Sequence, residues 1–240
     1  MTRHWLATFD AGQGSRPGLV VADKIVDIGP TLGLPPRADM MDVLERWKTN
    51  RGRLSALADD ASADWLSLAD VTLKAPIERP LAIYCAGANY RDHVDNMARA
   101  RGVPTEPDPH EAGLDPWHFL KSGRTIAGPD ANVVLDCERL DWEAELAAVI
   151  GEPARHVSVA EALNHVAGYM IANDLSARDR MARRNGTPGT TFYYDWIGHK
   201  SFEGSCPIGP YILPADFVAD PQDVGIKLWV NDRLRQDSNT

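Results

Sequence analysis

The segment LDWEAELAAVIG sets three acids at alternate positions, Asp141, Glu143 and Glu145, and then runs on into apolar residues. On a helix, Glu143 and Glu145 would point about 200° apart and could not share a ligand. On a strand, residues two apart face the same side, so the acids share one face while Trp142, Ala144 and Leu146 share the other. The apolar continuation predicts a substantially buried strand. Carboxylates crowded on a buried face repel one another, and at neutral pH they need protons or a cation. A fourth acid, Asp174, follows the apolar run GYMIAN, a poor place for a lone charge. Two glutamates and an aspartate make a hard, all-oxygen donor set that suits Mg2+ or Mn2+, with Ca2+ possible. Zinc fits badly, because none of the seven histidines forms an HxxxH pair and the three cysteines do not cluster. The alternative is a solvated acid face, since ExE is a common tripeptide. On spacing alone, His93 reads as a hydrogen-bonded structural histidine near a strand end, and Asp179 as the capping partner of Ser176.

These side chains have to be carried by particular elements. Short β-branched and aromatic runs at 4–9, 18–22 and 24–28, separated by Gly, Pro and Asp, predict an antiparallel meander. Gly12, Gly14 and Gly18 lie close together, but their spacing is not GxGxxG and a strand follows where a phosphate-binding turn needs a helix. The segment therefore reads as a hairpin loop. From Met40 to about Leu68 the apolar spacing turns helical, and KAPIERP at 74–80 is a Pro-punctuated linker. A small module of residues 1–75 thus precedes a larger one, 80–240.

The larger module opens with a strand, Leu81–Ala88, that runs into Asn89, Tyr90, Arg91, Asp92 and His93. A polar, Pro-rich loop of mobile composition follows, GVPTEPDPHEAGLDP. Strands are expected at 117–120, at 132–136 and through DWEAELAAVIG. Ser158 and Glu161 pattern as a capping box for a short helix, VAEALNHV. GYMIAN reads as the strand that delivers Asp174. Ser176 and Asp179 pattern as a second capping box, opening a helix ARDRMARR that Gly186 stops. Asn231-Asp232 is a plausible two-residue hairpin turn. Strands dominate a few short helices, which makes the fold class α+β.

Composition narrows the function classes. The 240 residues are 44% hydrophobic and 25% charged, the balance of a globular chain with a real core. The net charge of −9 argues against nonspecific attraction to nucleic acid or to an anionic membrane. No apolar stretch is long enough to span a bilayer, and the first residues lack an apolar signal region. Three scattered cysteines suit a reducing compartment, so a cytoplasmic location is expected.

Six segments taken in order resemble the fumarylacetoacetate hydrolase family, in particular its smaller acylpyruvase-like and hydratase-isomerase-like members. They are GANYRDH (87–93), FLKSGRTIAGP (119–129), DWEAEL (141–146), GYMIANDLSARD (168–179), HKSFEGSCPIGP (199–210) and LWVNDRLRQDSNT (228–240). The resemblance implies a β-rich mixed-sheet roll, usually a homodimer, with a divalent ion held by Glu143, Glu145 and Asp174. It implies His93 as general base and Lys200 as a second catalytic group. Arg178, Lys121 and Tyr90 then face the substrate, a small 2-oxo or diketo acid of the kind aromatic catabolism yields. Hydrolytic C–C cleavage is the activity placed first. Hydration, decarboxylation or tautomerisation of the same acids, or a non-catalytic binding protein on this scaffold, remain alternatives.

Three departures accompany the resemblance. Many acylpyruvase-like members carry a glutamate three residues after the histidine, where this chain has Asn96, so a loop acid is expected to substitute on closure, Glu111 first. GTPGT at 186–190 looks like the family's TGTP signature but sits elsewhere, and reads as a Gly/Pro turn. Family members continue for several strands beyond RQDSNT, so the sequence is expected to lack its C-terminal portion.

Overall fold

The computed structural model describes residues 1–240 apart from Asp136 and the side chain of Arg101. β1 (Trp5–Asp10), β2 (Ser15–Val21) and β3 (Lys24–Asp27) form the expected antiparallel meander. Its first loop closes on Asp10, whose Oδ1 accepts the N–H groups of Gly12, Gln13 and Gly14 at 2.7, 3.1 and 3.0 Å. Alternation along the strands splits two faces. Leu6, Leu19 and Val26 join the main core, whereas Ala7, Phe9, Val20 and Ile25 make a second cluster. Gly18 is dictated by packing, because a Cβ there would meet the Phe9 ring and Ile25 at 2.8 Å.

Three helices cover the main-core face: α1 (Gly29–Leu32), α2 (Met40–Leu44) and α3 (Trp47–Ala58). α2 starts with a full capping box, Asp39 accepting from Met41 N–H and Asp42 accepting from Asp39 N–H, both at 2.8 Å. The helical region is shorter than the spacing predicts. Asp60 captures the N–H and hydroxyl of Ser62 at 2.8 and 2.6 Å, turning the chain after Ala58. Leu66–Ser67 then pairs with β3 as strand β4, and β5 (Thr72–Lys74) pairs with β1. The same core runs on through Ala75 and Ile77 and into the 80–240 module that the sequence predicts, at Val149, Ala167, Ile208 and Ile212.

In that module β6 (Ile83–Ala86) pairs antiparallel with β7 (His118–Lys121), and between them runs α4 (Arg91–Arg101). The sequence pattern hides α4 as the tail of a strand. An Arg91–Asp95 ion pair one turn apart (3.4 Å) and the left-handed Gly102 that ends it are its signals. His93 therefore sits on a helix. β8 (Ile126–Ala127) follows β7. No strand forms at 132–135, and Asp136, the last residue of that predicted strand, lies outside the described residues. The single buried strand expected through DWEAELAAVIG is broken: β9 (Leu140–Asp141) ends before Trp142 and Glu143, which lie between strands, and the partly buried β10 (Ala144–Ile150) carries Glu145.

A single-turn α5 (Val159–Ala162) comes next, with Ser158 Oγ bonded to Glu161 at 2.9 Å but with no side-chain bond to a backbone N–H. β11 (Val166–Asn173) then pairs antiparallel with β10. The second capping box does not form. Ser176 and Ala177 are strand β12, paired with β9; the Ser176 hydroxyl donates to the Asp174 carbonyl at 2.9 Å, and only one 3-10 turn, Arg178–Arg180, follows. Asp179 accepts instead from Glu138 N–H at 3.2 Å. The tertiary ladder to β9 outcompetes a local cap.

α6 (Trp196–Lys200) precedes β13 (Cys206–Pro207), which runs parallel to β8, and β14 (Leu213–Pro214), which extends the β10–β11 sheet. β15 (Gly225–Val230) and β16 (Arg233–Asn239) form a hairpin. Its turn residues Asn231 and Asp232 both have positive φ, 49° and 62°, as a two-residue turn of this hand requires. The architecture is α+β, with a five-stranded sheet, several smaller ones, a main core and a second apolar cluster. Among the described residues no helix is long and apolar enough to cross a membrane.

Candidate active site

Pairing between β10 and β11 brings together acids separated by some thirty residues of chain. Ala144 lies opposite Asn173, so the residues at that end of the ladder, Glu143 and Asp174, become neighbours. Asp174 N–H donates to the Glu143 carbonyl (2.8 Å), and Asn173 Oδ1 accepts from Glu143 N–H (3.1 Å). Alternation returns Glu145 to the same side. One carboxylate oxygen from each of Glu143, Glu145 and Asp174 lies within 4.8 Å of the others. The far edge of β10 is held by β16, where the Gln236 amide bonds both the N–H and the carbonyl of Ala144 (3.0 and 2.8 Å).

Three cations answer these acids. Lys121 Nζ meets Asp174 Oδ1 at 2.5 Å, and Lys200 Nζ bridges Asp174 Oδ2 (2.5 Å) and Glu143 Oε2 (2.8 Å). Arg178 reaches Asp141 at 2.8 Å and also bonds Glu143. Burial pushes the Asp174 carboxyl upward, but the two lysines prevail and hold it below the usual carboxylate range. Glu145 makes no ion pair among the described residues. Burial first, then Asp174 and Glu143, push its carboxyl up to about 8. Three oxygen donors within mutual reach, one of them uncompensated, fit a hard divalent cation.

Above this floor opens a chamber of about 400 Å³, in the range of small-molecule sites. α4 contributes His93, Asn96 and Met97 to it. The facing wall is aromatic: Trp117 meets Trp196 edge-on at 4.8 Å, and Phe119 stacks on Trp196 at 5.8 Å. Lys200 Nζ lies 5.2 Å above the Phe119 ring, tying the charged floor to that wall.

Seven of the predicted site residues line this chamber: Tyr90, His93, Glu143, Glu145, Asp174, Arg178 and Lys200. The Tyr90 hydroxyl accepts Leu146 N–H at 3.0 Å and so also braces β10. Two predicted residues do not line it. Lys121 is enclosed beneath Asp174, which it supports from below. Glu111 is exposed, in a turn where Leu114 N–H returns to the Pro109 carbonyl (2.8 Å). Asp141 lines the chamber but is engaged by Arg178, outside the three-acid group. Sequence spacing gave no task to the aromatic wall or to His199. His199 stands directly before Lys200 in HKSFEG, and α6 lays Trp196, His199 and Lys200 against one space.

This arrangement can polarise and bind a small anion and move a proton beside it. Comparison with known proteins agrees in kind. The family model described as Fumarylacetoacetate (FAA) hydrolase C-terminal matches residues 82–240. The mitochondrial oxaloacetate tautomerase FAHD2B of Bos taurus is 38% identical over 177 residues, covering 73% of this chain and 51% of the relative. The chain thus spans about half the length of the curated relatives it matches. Among solved structures, maleylpyruvate hydrolase from Sphingobium sp. SYK-6, in complex with manganese(II) ion and pyruvate, superposes with a TM-score of 0.73. It is 30% identical, over 98% of this chain and 76% of that one. A 5-carboxymethyl-2-hydroxymuconate delta-isomerase from Mycobacterium smegmatis gives 0.67 and 28%, over 98% and 75%.

Proposed function

The chain belongs to the fumarylacetoacetate hydrolase family, and on that premise we propose that it is a divalent-metal-dependent enzyme acting on a small 2-oxo or diketo acid through an enolate. The observation that carries this reading is the convergence of Glu143, Glu145 and Asp174 at the floor of a chamber that also holds His93. A divalent ion held by those three acids, Mg2+ first with Mn2+ or Ca2+ as substitutes, would supply Lewis-acid polarisation of the keto group. Lys200 and Arg178 offset the negative charge of the acid and of the enolate. Trp117, Phe119 and Trp196 offer the carbon end of the acid an apolar wall. His93 takes a proton at the carbon beside the keto group and returns it.

The reaction outcome after this proton transfer depends on water activation. Among the described residues no carboxylate pairs with His93: Asn96 stands one turn along α4, and Glu111 is exposed. Keto–enol tautomerisation or isomerisation, which needs no activated water, is therefore the reaction placed first. Hydrolytic C–C cleavage is the second reading, favoured by the likeness to maleylpyruvate hydrolase. It requires the 102–116 segment to close so that Glu111 reaches His93. The homodimer is proposed on the family resemblance alone, and three free cysteines suit a reducing compartment such as the cytoplasm.

Product analysis tests the assignment. Purified protein with Mg2+ or Mn2+, and with a chelator in their place, is incubated with oxaloacetate, acylpyruvates and maleylpyruvate. Metal-dependent enol–keto interconversion of oxaloacetate is expected. No turnover on any of these acids, with the metal bound, returns the chain to a binding role.

A further inference from the structure

Trp117 stands one residue before β7, and its ring lies so close over Gly87 that a Cβ there would overlap the indole carbons. Only glycine admits the ring, and Gly87 N–H also donates to the Trp117 carbonyl at 2.8 Å. The ring then meets Trp196 at 4.8 Å and Phe119 at 6.0 Å, while Phe119 closes on Trp196 at 5.8 Å. These are the spacings of a packed three-ring cluster. The protein does not cover that cluster: Trp117 is 49% exposed, and Phe119 and Trp196 are partly exposed along the same chamber. Met97 and Met181 add two apolar side chains to the lining. Apolar surface held open inside a cleft marks a ligand-binding groove.

The wall adjoins the charged floor at one ammonium. Lys200 Nζ lies 2.8 Å from Glu143 Oε2 and 5.2 Å from the Phe119 ring. An acid held at the floor by its carboxylate and keto oxygen therefore has the rings within reach of its next carbon. Lys200 and Arg178 are committed to the floor, paired with Asp141, Glu143 and Asp174, which leaves the wall to a neutral group. Pyruvate, with its few heavy atoms, would fill a small part of a chamber of about 400 Å³ and leave the rings wet. The rival to an apolar tail is a second carboxylate, for which Arg235, on the exposed strand β16, also lines the chamber.

We propose that the chamber takes a 2-oxo acid bearing an aryl ring on the carbon beside the keto group, the arylpyruvate class, with that ring against Trp117, Phe119 and Trp196. The proposal rests on the oxo-acid reading above and names its substrate. Conjugation with the ring stabilises the enol, so the group that fills the wall also eases the proton transfer assigned to His93. In that step the C–H bond breaks, its electron pair becomes the C=C bond and the keto oxygen gains the proton, with no co-reactant.

Titration calorimetry with pyruvate, oxaloacetate and phenylpyruvate on the Mn2+-loaded 240-residue chain reads the preference. Wild type is expected to bind phenylpyruvate about tenfold or more tighter than pyruvate, the scale of covering one ring, and tighter than oxaloacetate. In Trp117→Ala the preference for phenylpyruvate over pyruvate should fall to about a third of its wild-type value or less, and Trp117→Phe, which keeps a ring, should restore most of it. Equal wild-type affinity for phenylpyruvate and pyruvate overturns the proposal. Tightest binding of oxaloacetate overturns it too, and assigns the chamber to a dicarboxylic acid. A preference unchanged in Trp117→Ala shows that the aryl ring does not lie on this wall. Wild type that binds none of the three acids overturns the oxo-acid reading instead. The wild-type comparison decides even if Trp117→Ala does not fold.

Discussion

Replacing Glu145 with glutamine keeps the shape of the side chain and removes a charge from the most crowded point of the chamber. Without a divalent ion the Glu145 carboxyl titrates near 8, pushed up by burial and by Asp174 and Glu143, against an ordinary 4.5. Between those values the native chain holds a proton that the unfolded chain has released, so wild-type stability falls as pH rises through the window. The slope is about 1.4 kcal/mol per pH unit, and full ionisation sets a ceiling of about 5 kcal/mol. Solvent relaxation around an incompletely enclosed group reduces the measured value to about 2–3 kcal/mol. Glutamine is neutral throughout. In chelator, Glu145→Gln is therefore expected to match wild type near pH 5 and to exceed it near pH 8.5 by that amount, about 5–10 °C in Tm for a chain of this length. Adding Mg2+ or Mn2+ reverses the order, because binding to the native state stabilises wild type and the variant lacks one donor. Thermal and urea melts across pH 5–9, with and without metal, read the effect. A wild-type stability that stays level from pH 5 to 8.5 in chelator, or a variant weaker at every pH without metal, refutes the account of Glu145 as an uncompensated buried acid.

Asp174→Ala strands Lys121 in a buried site and leaves Lys200 with Glu143 alone, and should cost about 3–5 kcal/mol in urea unfolding; a loss below about 1 kcal/mol would mean Lys121 finds another partner. His93→Gln is expected to lower kcat on oxaloacetate by about 10²–10⁴-fold, with Tm and Mn2+ affinity unchanged, and an unaltered kcat moves the proton transfer to another residue. Glu111→Gln separates the two reaction readings. Tautomerisation should stay within about twofold because the side chain is exposed, while any C–C hydrolysis of acylpyruvates should fall by about 10²-fold if the loop closes on His93. Equal hydrolysis in wild type and variant removes Glu111 from the mechanism.

Much of the scaffold was legible because local chemistry and tertiary structure agree in it. The β1–β3 meander, the Asp10 loop, α2 and α3, and the Asn231-Asp232 turn each follow from short-range spacing that the fold leaves undisturbed. The misreadings lie where a distant partner intervenes. Ser176 and Asp179 have the spacing of a capping box, but a strand ladder to Leu140 and Asp141 takes the backbone first. Leu66 looks like the end of a helix and is instead the edge of a sheet. α4 went unseen because its hydrophobic side is small and its first residues continue an apolar strand.

The sequence by itself pointed to Glu143 and Glu145 on one side of an extended segment, since period two is a property of the extended chain; the third acid of that pattern, Asp141, sits on a separate strand and outside the acid group. The sequence also determined that a hard cation suits them better than zinc, since donor chemistry resides in residue type. Only the tertiary structure decided which acids meet. The β10–β11 register sets Asp174 beside Glu143, Arg178 draws Asp141 aside, and two lysines far apart in the chain divide the oxygens of Asp174. It likewise set Lys121 beneath the floor and Lys200 at its edge, and brought Trp117 against Trp196. Such assignments depend on distances between residues remote in sequence, and those distances come into being when strands pair and side chains leave water together.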